Sequence, residues 1–125
     1  ASGADLVCID LEDAVAAEDK AAAREAAIAA VDSHGPLAIR INGLRTAAGL
    51  TDLVALSEAP VLPALVFVPM VESAAEIAIV ASVLAAPVVP LIESAAGVRA
   101  AADIAAAPGV AAMMFGGGDL SAELG

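Results

Sequence analysis

The sequence predicts an α/β fold built on a parallel sheet, and three observations carry the prediction. Five short runs rich in Val, Ile and Leu recur along the 125 residues, each apolar at consecutive rather than alternate positions. Ala-rich stretches long enough for a helix separate them. Every run ends beside a charged group. Strands covered on both faces lose polar alternation, and parallel strands need a long crossover, usually a helix. The pattern therefore reads βαβαβαβαβ with right-handed connections.

Taken in order, the first run is ADLVCID (4–10), followed by a helix predicted over Ala14–Val31 with Asp13 as its cap. His34-Gly35-Pro36 ends that unit, and LAIRI (37–41) is the second strand. Asn42-Gly43 turns the chain toward a helix over Leu50–Glu58, with Thr51 as the candidate cap. The third strand is ALVFVP (64–69), and Ser73 caps a helix over Ala74–Leu84. The fourth is VVPLIE (88–93), and Ser94 caps a helix over Ala95–Ala106. After Pro108-Gly109 comes the fifth, VAAMMF (110–115), where Met113 and Met114 read as core. No linker, repeat or charge block divides the chain, so residues 1–125 are expected to form one domain.

Composition narrows the function. Sixty-one per cent hydrophobic residues with 2% aromatic describe a core of Ala, Val, Ile and Leu rather than a disordered chain. Sixteen acidic against five basic residues give a net charge of −11. That charge repels phosphate backbones and anionic lipid, so neither nucleic acid nor a membrane is an expected partner, whereas divalent cations are. The lone Cys8 lies in an apolar strand, which reads as a small buried hydrophobe in a reducing, cytoplasmic setting. IAIVASVLAAPVVPLI, between Glu76 and Glu93, is too short for a bilayer span and is interrupted by Pro87 and Pro90.

In parallel α/β folds the loops after the strands gather at one rim, where sites are built. Here the strands end in Asp10, Glu12 and Asp13; in Arg40 and Asn42; in Met70, Glu72 and Ser73; in Glu93 and Ser94; and in Gly116-Gly117-Gly118-Asp119. Carboxylates crowded at one edge repel one another unless a cation offsets them. Arg45, beside Asn42-Gly43, is either an exposed loop cation or a group able to reach a phosphate, and His34 reads as a loop residue far from the rim.

Five ordered motifs, DLVCIDLEDAV, AIRING, FVPMVES, VPLIES with Gly97, and MMFGGGDLSAELG, resemble the citrate lyase β-subunit-like branch of the HpcH/HpaI aldolase and citrate lyase family. The resemblance covers essentially the whole chain. It implies a TIM (β/α)8 barrel, of which this chain supplies about five consecutive βα units. It also implies an Mg2+-dependent carbon–carbon lyase acting on acyl-CoA thioesters of the citryl-CoA or malyl-CoA type, Mn2+ being an alternative ion. Glu93 and Asp119 are then the implied metal ligands, and Arg40 the group that holds a carboxylate or thioester oxygen. A homo-oligomer, trimer or hexamer, is implied as well. Set against a barrel of about 250 residues, the chain lacks room for the first strand and the last two.

Elementary chemistry fits those roles. Mg2+ takes oxygen ligands and keeps several waters, so two carboxylates plus substrate oxygens make a reasonable shell. A permanently charged, forked guanidinium suits an enolate-like oxygen. Asn42 is a further candidate for substrate binding, and Gly117 and Gly118 are expected to let backbone amides approach the substrate. A general acid or base is still required, with Asp10, Glu12, Asp13 and Glu72 as candidates; Asp13 or Glu12 is expected to orient Arg40 or a water. The motif set departs from the family at Met70, where Lys is common. Two other readings remain open: a degenerate, non-catalytic barrel, and a five-stranded flavodoxin-like receiver domain.

Overall fold

A computed structural model describes residues 3–124 of the chain. Its core is one five-stranded sheet in the order β1-β2-β3-β4-β5, from Cys8–Asp10, Ala38–Arg40, Leu65–Val68, Val88–Ile92 and Met114–Phe115. Every neighbouring pair is parallel. The helices are α1 (Lys20–His34), α2 (Ala47–Ser57), α3 (Ala74–Val83), α4 (Ala95–Arg99), α5 (Ala101–Ala105) and α6 (Gly117–Leu124). A flavodoxin-like sheet reverses its strand order at a switch point. The strictly sequential order removes the receiver-domain reading and is that of consecutive barrel units.

The two faces of the sheet differ. Ile39, Ile41, Val66, Val68, Val88 and Ile92 are buried against Ala27 and Val31 of α1, Leu53 and Leu56 of α2, Ile77 and Val80 of α3, and Ile104 of α5. The three- and four-residue spacings on those helices put each pair on one side, facing the sheet. Asp10, Arg40, Phe67 and Val89 share one rung of the ladder and point to the opposite face. Alternation along strands thus sends the polar rim residues away from the helices.

Several sequence expectations shift. The helix expected from Ala14 starts at Lys20, after a short 3₁₀ turn over Ala17–Asp19, and Asp13 caps nothing. Asp10 takes the Glu12 and Ala14 amides instead, at 2.9 and 3.1 Å, and this turn competes with helix initiation. Thr46, not Thr51, caps α2 by accepting from the Gly49 amide at 3.0 Å. Gly49 is required there, since a Cβ would sit 2.0 Å from the Gly43 carbonyl oxygen. Ser73 caps α3 in a capping box with Glu76, and Ser94 caps α4, as expected. The helix over 95–106 breaks at Ala100, which leaves helical geometry at ψ 1°. Cys8 is exposed rather than buried, and Met114 is 51% exposed, because β1 and β5 form the sheet's edges; Met113 does pack on the core.

Candidate functional site

The rim is organised by the register of β1 on β2, which sets Asp10 beside Arg40. Arg40 Nε donates to Asp10 Oδ1 at 2.8 Å and Nη2 to Oδ2 at 2.6 Å, a two-pronged pair. Arg40 Nη1 lies 3.4 Å from Glu12 Oε1, and Nη2 3.8 Å from Asp13 Oδ2. Asp13 is mostly exposed, so Asp10 is the residue that orients the guanidinium, with Glu12 adding to the field. Lys20 Nζ fastens the loop by donating to the carbonyls of Leu11 and Glu12 at 3.0 and 3.1 Å.

Electrostatics separate these acids. The Arg40 hydrogen bonds hold the Asp10 carboxyl at about 2, well below its ordinary value. Asp10 in turn raises the Arg40 pKa, so the cation persists at any working pH. Glu12 moves the other way, to about 7: burial disfavours its charge first, then the negative field of Asp13, with Glu93 and Asp10 adding and Arg40 opposing. A carboxyl that titrates near neutrality can both hold and give up a proton.

Glu93 follows β4 and is buried, at 8% exposed. Its Oε2 accepts the Met70 amide at 2.9 Å. Gly116 packs on the same side chain: a Cβ there would lie 2.5 Å from Glu93 Cγ and 2.9 Å from Oε1. Only glycine leaves that oxygen its space. Asp119 lies in the first turn of α6 and is exposed, as are Gly117 and Gly118, where a Cβ would meet nothing within 4 Å. Among the described residues no group of three or more His, Cys, Asp or Glu side chains is gathered to hold a metal. The hard oxygen donors at this edge are carboxylates from separate strand ends, Glu93 after β4 and Asp119 after β5.

A buried network lies behind the rim. Asp52 of α2 is fully buried and accepts from Arg24 Nε at 2.7 Å, from the Asn42 amide at 2.8 Å and from Asn42 Nδ2 at 2.7 Å. Asn42 is 4% exposed, so its donors fix the loop after β2 instead of facing the rim. Sequence offers Asp10 as a candidate acid or base without its Arg40 partner, and does not distinguish Lys20 or the Arg24–Asp52 pair. The available signal for Asp52 is a single acid in the apolar helix segment LTDLVALS.

Comparison with known proteins follows the same lines. RipC from Yersinia pestis is 43% identical and superposes with a TM-score of 0.88, over 98% of this chain and 56% of that one. A citrate lyase beta subunit from Mycobacterium tuberculosis, complexed with oxaloacetate and magnesium, is 40% identical with a TM-score of 0.81, over 97% of this chain and 52% of that one. CitE from the same organism, with magnesium, acetoacetate and coenzyme A, is 40% identical with a TM-score of 0.82, over 97% and 43%. The chain thus spans about half the length of the solved relatives it matches. Comparison with curated proteins finds no match. The model of the family described as HpcH/HpaI aldolase/citrate lyase matches residues 1–125. With rim, strand order and relatives in agreement, the chain belongs to the HpcH/HpaI aldolase/citrate lyase family.

Proposed function

We propose that this chain carries the reacting rim of an Mg2+-dependent carbon–carbon lyase whose substrate is an acyl-CoA thioester of the citryl-CoA or malyl-CoA type. The observation that carries the reading is the Asp10-clamped Arg40 beside a neutral-titrating Glu12, on the sheet face turned away from the helices. Relatives complexed with magnesium, oxaloacetate, acetoacetate and coenzyme A support it.

Glu93 and Asp119 are the residues that would hold the ion, with substrate oxygens and water completing its shell. The cradle fits such an ion, because Gly116 keeps the space beside Glu93 Oε1 open and the donors are hard carboxylates. Once bound, Mg2+ supplies Lewis-acid polarisation of a substrate oxygen. Arg40 presents its charge to the thioester oxygen, where negative charge develops as the carbon–carbon bond breaks. Asp10 keeps that guanidinium in one orientation, so no reorganisation is needed during reaction. Glu12 is the proton carrier, charged or neutral with little cost near pH 7. Asp13 tunes Glu12 through its charge. Gly117 and Gly118, at the open start of α6, offer amides to the substrate. Asn42 contributes by holding the β2 loop.

The test is cleavage of citryl-CoA and malyl-CoA by the longest native polypeptide carrying this chain, with Mg2+ or Mn2+. Turnover of one thioester, lost by at least a hundredfold in Arg40→Gln with the fold intact, is the expected result. No turnover of either by a cooperatively folded, metal-loaded protein would favour a degenerate barrel. Size-exclusion mass measurement on the same sample checks for the expected trimer or hexamer.

A further inference from the structure

Arg45 takes no part in the chemistry above, yet its position is unusual. Its Nη1 donates to Glu72 Oε2 at 2.6 Å and its Nη2 to the Met70 carbonyl at 3.0 Å, reaching from the β2 loop to the end of β3. Met70 is the one non-glycine residue described with positive φ, at 54°. The amide of that strained residue bonds Glu93, and its carbonyl bonds Arg45. One backbone unit therefore ties Arg45 to the carboxylate at the reacting rim. A cavity of about 210 Å3 opens beside it, with Glu12, Arg45, Thr46 and Met70 among its walls.

The loop that carries Arg45 is held from three sides. Asp52 takes both Asn42 donors, the Thr46 hydroxyl donates to the Gly43 carbonyl at 2.6 Å, and Gly49 packs directly beneath that carbonyl. The Arg45 side chain stays half exposed, at 52%, and Glu72 and Met70 engage two of the guanidinium's five donors. A cation on a rigid loop, paired with a carboxylate at a solvent-open cavity, is already arranged for exchange with a second carboxylate. The cavity is below the about 300–1,000 Å3 that encloses a drug-sized ligand, so it suits a short arm rather than a nucleotide.

Resting on the lyase reading, we propose that Arg45 is a specificity-determining residue: it binds a carboxylate on the acyl portion of the substrate, which displaces Glu72 from the guanidinium. The chain thereby places at the end of β3 a cation that Met70 itself does not supply.

Oxaloacetate and pyruvate differ by one carboxylate and serve as probes, titrated calorimetrically in Mg2+ buffer into the longest native polypeptide. Wild type is expected to bind oxaloacetate at least about tenfold more tightly, one charge-assisted pair being of that size. Arg45→Gln is expected to remove the preference by weakening oxaloacetate and leaving pyruvate alone, and Arg45→Lys to keep part of it. Glu72→Gln, which removes the resident competitor, is expected to tighten oxaloacetate severalfold. A purely structural Arg45–Glu72 pair would not produce that gain. An Arg45→Gln ratio equal to wild type, equal weakening of both ligands, or no gain in Glu72→Gln overturns the proposal. So does an Arg45→Gln defect confined to free coenzyme A, which would assign the residue to a phosphate. Wild type binding both probes equally overturns this inference alone, whereas binding neither overturns the lyase reading beneath it.

Discussion

Removing the Asp52 carboxylate is the perturbation whose cost follows most directly from the structure. Asp52 is fully buried and accepts three hydrogen bonds, one from the Arg24 guanidinium and two from Asn42. Asp52→Ala leaves the Arg24 side chain, 13% exposed, without its counter-charge, and leaves two donors of a 4%-exposed Asn42 without acceptors. Breaking a buried pair from one side costs about 3–5 kcal/mol, because the remaining charge stays desolvated. Asp52→Asn keeps the shape but replaces a charged acceptor, so about 1.5–3 kcal/mol is expected. The double variant Arg24→Met/Asp52→Leu takes away both charges and should recover much of the loss, though Asn42 still lacks its acceptor. Urea unfolding of the four proteins, with unchanged m-values, measures each term. A cost below about 1 kcal/mol for Asp52→Ala would refute the claim that this network holds the β2 loop.

Three further perturbations probe the rim. Glu12 titrates near 7 when folded against an ordinary 4.5, so the folded state keeps a proton that the unfolded chain has already lost between those values. Stability should therefore fall as pH rises from about 4.5 to 7, and Glu12→Gln should be the more stable protein at pH 8 while matching wild type near pH 4; thermal melts across that range measure it. Asp10 has the opposite sign: its pKa near 2, against 3.8, stabilises the fold above about pH 4 and fails as pH drops through 2, so the penalty of Asp10→Asn should shrink over that window. Gly116→Ala should fold, since β5 is an exposed edge, but its Cβ would press within 2.5 Å of Glu93 Cγ. Calorimetry should show Mg2+ affinity down by tenfold or more.

Much of the fold was legible because strand runs and crossover helices leave strong local signals. VVPLI is buried throughout and LVFV at Val66 and Val68, on account of their own composition, and Ser73 and Ser94 cap their helices through contacts within three residues. Arg40 and the acids at the rim were legible for the same reason, being set by where each strand stops. What local pattern does not contain is partnership. Asp10 and Asp13 look alike in LVCIDLEDAV, and only the β1–β2 register gives Asp10 the guanidinium. Asp52 resembles an ordinary helix-surface acid until Arg24 and Asn42, 28 and 10 residues away, close over it. Cys8 and Met114 carry strand-core signatures, yet edge position leaves them exposed. Arg45 reads as a loop cation because its partners lie 25 and 27 residues further along.

The proposed function turns on a divalent cation held at the rim by Glu93 and Asp119. Thermal unfolding of the longest native polypeptide, titrated with Mg2+ and Mn2+ beside Glu93→Gln and Asp119→Asn, tests it most directly. The midpoint is expected to climb with metal concentration in wild type and to stay flat in both variants, whose metal-free melts remain cooperative. A wild-type midpoint that does not move, or variants that climb with metal as wild type does, would contradict it.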